Sequence, residues 1–205
     1  TFIEKNRDVL FPDVPVVFFS SRPLVRPAHS TGAVVEPNLA DTVLFATELQ
    51  PEIRHVYVIS GAESAESSFE SIARAQFKLF EPRLAFTYLT GLTKKELEPK
   101  LTTLPENSIV YYLSVERDRT GQNYQALEFL DWVTTVARAA VYSWIDSAMD
   151  HGIVGGSLRD QVAEMQAVGE LAVRVLQGEP PESIPLVSPN LHDKQVDWRE
   201  LLRRG

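Results

Sequence analysis

The chain has 205 residues, no cysteine and a formal net charge of −8. The acidic balance argues against nucleic acid as a partner, because phosphate binding requires a basic face. The lack of cysteine excludes disulfides, thiolate metal ligands and cysteine nucleophiles, and no run approaches the roughly 18 apolar residues that cross a bilayer.

The first predicted elements are a strand, a break, a second strand and a helix. Val14 to Phe19 is a continuous apolar run rich in β-branched and aromatic residues, which predicts a parallel-sheet strand buried on both faces. Prolines in 22–27 then interrupt regular structure. A short strand is predicted at 32–35, and Asn38 is the predicted N-cap of a helix over 39–49.

Repeated strand–helix units fill the middle of the chain. Strands are predicted at 56–59, 84–89, 109–113 and 140–145, and helices at 66–80, 93–104 and 124–138. Thr93 and Glu96 form the Thr-x-x-Glu pattern of a capping box at the start of the second of these helices. This alternation predicts an α/β fold in which helices sandwich a mostly parallel sheet.

The segment after residue 151 has the clearest local pattern. Ile153 and Val154 predict a short strand that ends on Gly155 and Gly156, and a long helix follows until Gly178. Glycines just past a strand let the backbone approach a ligand, because no Cβ is in the way. The start of the helix would direct free N–H groups to the same place, so the segment predicts a binding pocket without a catalytic group.

Small polar residues follow most of the predicted strands. Ligands of open parallel sheets bind beyond the carboxyl ends of the strands, and hydroxyls and glycines suit a small polar ligand there. The alternative is that these residues only begin turns and cap helices. The candidate binding residues at the strand ends are Ser20, Ser21, Ser60, Gly61, Glu63, Ser114, Trp144, Asp146, Gly155 and Gly156.

Trp144 and Asp146 form the most specific candidate pair. Residues two apart on an extended segment point the same way, so Trp144 would stack on a ligand while Asp146 accepts hydrogen bonds from it. The alternative is a half-buried tryptophan at the end of the sheet and an aspartate that caps the next turn. Both interpretations stay open at this stage.

Patterns that would indicate an enzyme are missing from the sequence. Neither GxGxxG, GxxxxGK[ST] nor GxSxG occurs, and the four histidines have no zinc-binding spacing. The charged residues 116–119 either bind a ligand or form a solvated loop. An enzyme that uses Asp146, His151 and a strand-end serine is a further hypothesis, but the sequence favours binding, and we expect no catalytic residue, metal or cofactor.

Five stretches together carry a resemblance to a known family. They are FPDVPVVFFSS, TGAVVEPNLADTVLFATELQPEIRHVYVISG, LTTLPENSIVYYLS, GIVGGS with VGELAVRVLQGEPPESIP, and VDWRELLRRG. In this order and spacing the chain resembles the extracytoplasmic ligand-sensing domains of bacterial sensor histidine kinases, which are similar to type I periplasmic solute-binding proteins of ABC transporters.

The resemblance implies two flavodoxin-like α/β lobes with a small polar ligand in the cleft between them. Residues 1–31 would be a remnant of an incomplete first lobe and the hinge, 32–188 the second lobe, and 189–205 a return segment leading toward the membrane. Ser20 and Ser21 would lie near the hinge, and the candidates from Ser60 to Asp146 would face the cleft. Because the pattern starts abruptly, we also expect a β/α unit upstream of Thr1.

The leading hypothesis is therefore a periplasmic or otherwise extracytoplasmic sensor domain of a membrane-anchored signal-transduction protein. A second copy of the chain, forming a homodimer, is one candidate partner. The alternative is the substrate-binding protein of an ABC transporter. A domain that only dimerises and binds no ligand also remains open. None of these functions makes the chain itself an enzyme.

Overall fold

The computed structural model describes residues 6–7, 9–62, 69–188 and 191–204. The chain forms two compact units. The larger contains Asn38–Asp160 and His192–Gly205, and the smaller contains Thr1–Pro37 and Gln161–Leu191. None of the helices in the described ranges is long and apolar enough to span a membrane.

The larger unit alternates strands and helices as the sequence predicts. Its elements are α1 (Ala40–Leu49), β3 (His55–Ser60), α2 (Phe69–Phe77), β4 (Ala85–Thr90), α3 (Lys94–Thr102), β5 (Ser108–Ser114), α4 (Ala126–Val136), β6 (Ala140–Tyr142), a 3₁₀ turn (Asp146–Ala148), β7 (Gly155–Arg159), β8 (His192–Val196) and α6 (Trp198–Arg204). The strands β1 (Val16–Ser20) and β2 (Ser30–Val34) and the helix α5 (Gln161–Leu176) belong to the smaller unit.

The strands of the larger unit form one six-stranded sheet in the order β4-β3-β5-β6-β7-β8. All neighbours are parallel except β7 and β8, which are antiparallel. The helices α2, α3 and α4 lie in the connections from β3 to β4, from β4 to β5 and from β5 to β6, as βαβ crossovers require. The predicted fold class, an α/β fold with a mostly parallel central sheet flanked by helices, is confirmed.

Both faces of this sheet are covered by helices. Successive strand residues point to opposite faces, so Val56 and Val58 of β3 pack with α1 and α2, whereas Ile59 packs with α3 and α4. Three fully buried tyrosines, Tyr111, Tyr112 and Tyr142, divide between these two cores. The near-continuous apolar runs of β3 and β5 follow from burial on both faces.

The predicted capping box at α3 is confirmed. Oε2 of Glu96 accepts hydrogen bonds from the backbone N–H and the hydroxyl of Thr93, at 3.0 and 2.9 Å. At α1, by contrast, the N-cap residue is Leu39 rather than Asn38. Asn38 still contributes one residue earlier, because its Oδ1 accepts from the backbone N–H of Asp41 at 3.3 Å.

The smaller unit is built around the parallel pair β1–β2. The helix α5 lies against both strands, and Arg26 ties the loop before β2 to the segment after α5. Its guanidinium donates to the carbonyl oxygens of Ser30, at 2.9 Å, and of Ile184, at 3.0 Å. Thr31 donates its hydroxyl proton to the same carbonyl of Ile184 at 3.1 Å.

These contacts give a domain division that differs from the boundaries predicted at 1–31, 32–188 and 189–205. Residues 161–191, assigned by the prediction to the second lobe, lie in the smaller unit. The sequence pattern attached α5 to the strand that precedes it, whereas in the structure the helix lies against β1 and β2. The return of β8 and α6 to the larger unit is set by antiparallel pairing with β7.

Two strand predictions are also corrected. The run predicted as Val14 to Phe19 forms a strand at Val16–Ser20, and its residues are half-buried rather than buried on both faces, because β1 pairs with one strand only among the described residues. Gly155 and Gly156 begin β7 instead of following a strand. A long helix does follow them, after the end of β7.

Candidate functional site

The carboxyl ends of three neighbouring strands lie side by side in the larger unit. Ser60 at the end of β3 pairs with Thr90 at the end of β4 and with Ser114 at the end of β5. Because all three strands are parallel, their terminal side chains share one edge of the sheet. Two predicted binding residues, Ser60 and Ser114, therefore lie next to each other as the sequence analysis expected.

Glu70 is the centre of this edge. Ser60 donates its hydroxyl proton to Oε2 of Glu70 at 2.6 Å, and the hydroxyl of Thr90 donates to the same oxygen. Arg74, one turn later on α2, donates from Nε to Oε1 at 2.7 Å. A carboxylate that links the ends of two strands to the first turn of the following helix was not predicted, and the Glu70–Arg74 spacing of four residues was the only local signal for it.

The charge of Glu70 is maintained by its partners. Burial by itself would raise the pKa of the carboxyl group, but the hydrogen bonds from Ser60, Thr90 and Arg74 together outweigh it and lower the pKa below the ordinary value of 4.5. The Glu70 side chain is only 12% exposed. The edge of the sheet thus carries a largely buried, ionised carboxylate at neutral pH.

Arg74 connects this carboxylate to an aromatic ring. Its guanidinium carbon lies 3.5 Å from the centroid of the Tyr88 ring, a cation–π contact. Burial raises the pKa of the Tyr88 hydroxyl to about 12, with the Arg74 charge opposing and the Glu70 charge adding to that shift. Tyr88 is therefore neutral at physiological pH and acts as a stacking surface for Arg74.

A loop after β5 closes against the same strand ends. The backbone N–H of Gly61 donates to the oxygen of Ser114 at 2.9 Å, and that of Ala62 donates to the oxygen of Arg117 at 2.8 Å. The N–H of Arg119 donates to the oxygen of Gly91 at 2.8 Å. A Cβ on Gly61 would lie 3.0 Å from the oxygen of Arg117, so a larger residue here would require the loop to move by a few tenths of an ångström.

Asp118 organises that loop from inside. It is 2% exposed, and its carboxylate accepts from the backbone and hydroxyl of Thr120, from the backbone of Gln122 and from the hydroxyl of Tyr124. The hydrogen bond from the Thr120 hydroxyl, followed by the others, outweighs desolvation and lowers the pKa of Asp118. Of the charged residues 116–119, Asp118 is thus structural, while the other three are exposed.

The predicted role of Trp144 as a stacking surface is not supported by its position. The side chain is 3% exposed, Nε1 donates to the backbone oxygen of Leu113 at 2.9 Å, and the ring packs 4.6 Å from Phe69. Asp146 begins the 3₁₀ turn, and its Oδ1 accepts from the backbone N–H of Ser147 at 2.7 Å. The turn ends the extended segment, so the assumption that both residues point the same way fails.

Gly155 and Gly156 are explained by backbone packing rather than by a ligand. A Cβ on Gly155 would lie 2.0 Å from the oxygen of Gln195, and one on Gly156 would lie 2.1 Å from the oxygen of Ser143. Gly155 also has a φ of 149°, which L-residues rarely adopt. These glycines therefore allow the neighbouring backbone at Gln195 and Ser143 to come close.

The remaining candidates do not join the edge around Glu70. Ser20, in the smaller unit, donates its hydroxyl proton to the oxygen of Arg22 at 2.8 Å and forms a turn; Ser21 follows it there. Glu63 lies outside the described residues. Nδ1 of His151 lies 2.7 Å from Oδ1 of Asp131. Within the described ranges, no group of three acidic or histidine side chains is arranged to hold a metal ion.

Solved structures share this fold. A ligand-free, open substrate-binding protein with adhesive properties from Clostridium difficile matches with a TM-score of 0.70 at 15% identity, over 93% of this chain and 66% of its own. The ABC domain from Streptococcus pneumoniae, solved in complex with L-Trp, matches with a TM-score of 0.67 at 14% identity, over 93% of this chain and 68% of its own. The chain therefore has an α/β fold like that of these proteins.

A conserved domain protein from Vibrio cholerae also matches, with a TM-score of 0.63 at 14% identity, over 86% of this chain and 58% of its own. This chain thus spans between 58% and 68% of the length of these proteins. No protein-family model matches its sequence, and no curated protein matches it significantly.

Proposed function

We propose that this chain is the ligand-binding part of an extracytoplasmic binding protein, and that it binds a small polar ligand at the edge formed by Ser60, Thr90 and Glu70. The observation that carries the proposal is the convergence of two strand-end hydroxyls on one ionised carboxylate. This edge is where open α/β sheets bind ligands, and the structural neighbours are binding proteins.

The chemistry of the edge favours a ligand that carries an ammonium group or several hydroxyls. Hydroxyl groups rotate to suit a partner, so Ser60 and Thr90 can turn toward a ligand while Glu70 supplies the negative charge. Because the neighbour from Streptococcus pneumoniae was solved with L-Trp, amino acids are the first class of ligand to test. The Arg74 guanidinium would hold the carboxylate in place during exchange.

The test is a thermal-shift screen followed by calorimetry, with L-tryptophan, the other L-amino acids and neutral sugars as probes. For a probe that binds the wild type, Glu70→Gln and Thr90→Val should each weaken affinity by about tenfold or more. Thr87→Val is the matched control, because Thr87 is an exposed residue of the same strand. Unchanged affinity in both edge variants would move the site away from Glu70.

Two biological settings are compatible with such a module. In the first, ligand binding shifts a sensor histidine kinase between two states, which requires different affinities for those states. In the second, the module delivers its ligand to an ABC transporter, and the name of the Clostridium neighbour favours this role. A kinase module and a span of about 20 apolar residues in the same gene would indicate the sensor; neighbouring permease genes would indicate transport.

A further inference from the structure

A pocket lies at the amino ends of α3 and α4. It has a volume of about 320 Å³ and is lined by Lys94, Asn123, Tyr124, Gln125, Glu128 and Phe129. This volume lies at the lower end of the range that holds small organic ligands. No residue of the Glu70 edge contributes to the lining, so the pocket is a separate candidate.

Three aromatic rings lie near the Lys94 ammonium, and two of them, Tyr124 and Phe129, line the pocket. The distances from Nζ to the ring centroids of Tyr124, Phe129 and Trp132 are 5.6, 5.3 and 5.2 Å. The rings also hold one another in place, because Tyr124 and Phe129 pack edge to face at 4.9 Å and Phe129 and Trp132 at 5.4 Å. We call this set, Lys94 with its three rings, the lysine cage.

The lysine cage is pre-organised by the loop that precedes it. The hydroxyl of Tyr124 donates to Oδ2 of the buried Asp118 at 2.8 Å, and the backbone N–H of Tyr124 donates to the oxygen of Glu116 at 2.8 Å. Both ends of the Tyr124 residue are therefore fixed before any ligand arrives. A rigid aromatic wall lowers the entropy cost of binding a planar molecule.

Among the described residues, the Lys94 ammonium forms no ion pair within 4.0 Å, although Glu128 lines the same pocket. A half-buried cation near aromatic rings keeps its capacity for a charge-assisted hydrogen bond to a carboxylate. The amide side chains of Asn123 and Gln125 supply further donors at the pocket.

We propose that the lysine cage binds a small planar monocarboxylate, with its carboxylate on Lys94 and its flat body against the rings. Glu128, an exposed residue of the lining, disfavours a second negative charge on the ligand, because like charges repel. The proposal is independent of the site at Glu70, since the two use different side chains.

The experiment titrates benzoate into the wild-type chain and measures binding by calorimetry and by ligand-observed NMR. Benzamide, which has the same shape without the charge, is the ligand control. We expect benzoate to bind at millimolar or lower concentration and benzamide about tenfold more weakly. Equal binding of the two, or no binding of benzoate, would overturn the proposal without requiring any variant.

Two lysine variants test whether benzoate binds at Lys94. Lys94→Gln should weaken benzoate binding by about tenfold, whereas Lys95→Gln, which changes the adjacent exposed lysine, should leave it within about twofold. Circular dichroism checks that both variants fold. Glu70→Gln must bind benzoate like the wild type, so that failure at one site is distinguishable from failure at the other. Tighter binding of tetramethylammonium than of benzoate would identify a cation site instead and refute the proposal.

Discussion

The indole N–H of Trp144 donates a 2.9 Å hydrogen bond to the backbone oxygen of Leu113, on the neighbouring strand β5. The bond lies in the core, where the Trp144 side chain is 3% exposed. Trp144 therefore joins the carboxyl end of β5 to the segment after β6. We expect it to contribute to stability rather than to ligand contact.

Trp144→Phe should lower the free energy of unfolding by about 2–3 kcal/mol, because it leaves the Leu113 oxygen without its donor and removes buried ring volume. Urea denaturation measures the change. Trp198→Phe is the control, since Trp198 is 66% exposed, and it should change stability by no more than about 0.5 kcal/mol. A stable Trp144→Phe variant that loses ligand affinity would restore the original interpretation of Trp144.

Thr42 bridges two strands that are only weakly paired with each other. In the ladder between β6 and β7 the only register pair is Tyr142 with Gly155. Oγ1 of Thr42 accepts from the backbone N–H of Ser157 at 3.0 Å, and its single proton lies within reach of the backbone oxygens of Ser143, at 3.1 Å, and of Ser157, at 3.2 Å. Thr42→Val keeps the shape but removes these hydrogen bonds.

We expect Thr42→Val to destabilise the chain by about 1–3 kcal/mol, because a buried N–H loses its acceptor. Thr47→Val, on the same helix, removes only a hydroxyl that bonds to the oxygen of Leu44 within its own turn. The control should therefore cost less than about 0.5 kcal/mol. Equal losses in the two variants would show that Thr42 does not bridge the strands.

Gly156 and Gly169 respond in opposite directions to a methyl group. A Cβ on Gly156 would meet the Ser143 oxygen at 2.1 Å, whereas one on Gly169 meets nothing within 4 Å. Gly156→Ala should destabilise by about 2–4 kcal/mol, since the contact is with backbone that cannot turn away. Gly169→Ala, within α5, should stabilise by about 0.5–1 kcal/mol. Thermal unfolding monitored by circular dichroism tests both signs.

The lowered pKa of Glu70 predicts that the free energy of unfolding depends on pH. The pKa of its carboxyl is lower in the folded chain than the ordinary 4.5, so the folded state binds fewer protons than the unfolded state. The stability from this group is therefore complete above 4.5 and declines as the pH falls through the lowered folded value. Above that range Glu70→Gln should cost about 1–2 kcal/mol.

The stability difference between wild type and Glu70→Gln should shrink as the pH falls below 4.5, which urea titrations at several pH values measure. Glu98→Gln removes an exposed carboxylate on α3 and serves as the control. A difference that stays constant down to acid denaturation would mean that the charge of Glu70 plays no part in its hydrogen bonds.

Local patterns were sufficient for much of the larger unit. The strands β3 and β5 are apolar runs in the interior of the sheet, and the Thr93–Glu96 box is completed within one helical turn, so each appears in the sequence itself. The neighbouring positions of Ser60 and Ser114 could be expected because a parallel sheet brings the ends of its strands to one edge; their role in binding stays a prediction.

Other features depend on partners that are distant in the sequence. Gly155 is a glycine because of Gln195 on β8, and Trp144 is buried because of Phe69 and Leu113. Glu70 matters because Thr90 reaches it from the next strand. The periodicity and spacing of residues within one segment contain no information about such contacts. The surroundings of these residues could therefore not be predicted from the sequence.

The loop that contains the buried Asp118 contacts both proposed sites. This loop donates and accepts backbone hydrogen bonds at Ala62 and Gly91, beside the Glu70 edge, and the Asp118 carboxylate holds the hydroxyl of Tyr124 in the lysine cage. A ligand that shifts this loop at one site would also shift the groups that the loop holds at the other site. By thermodynamic linkage, amino acid and carboxylate would then alter each other's affinity by one common factor, in either order of addition.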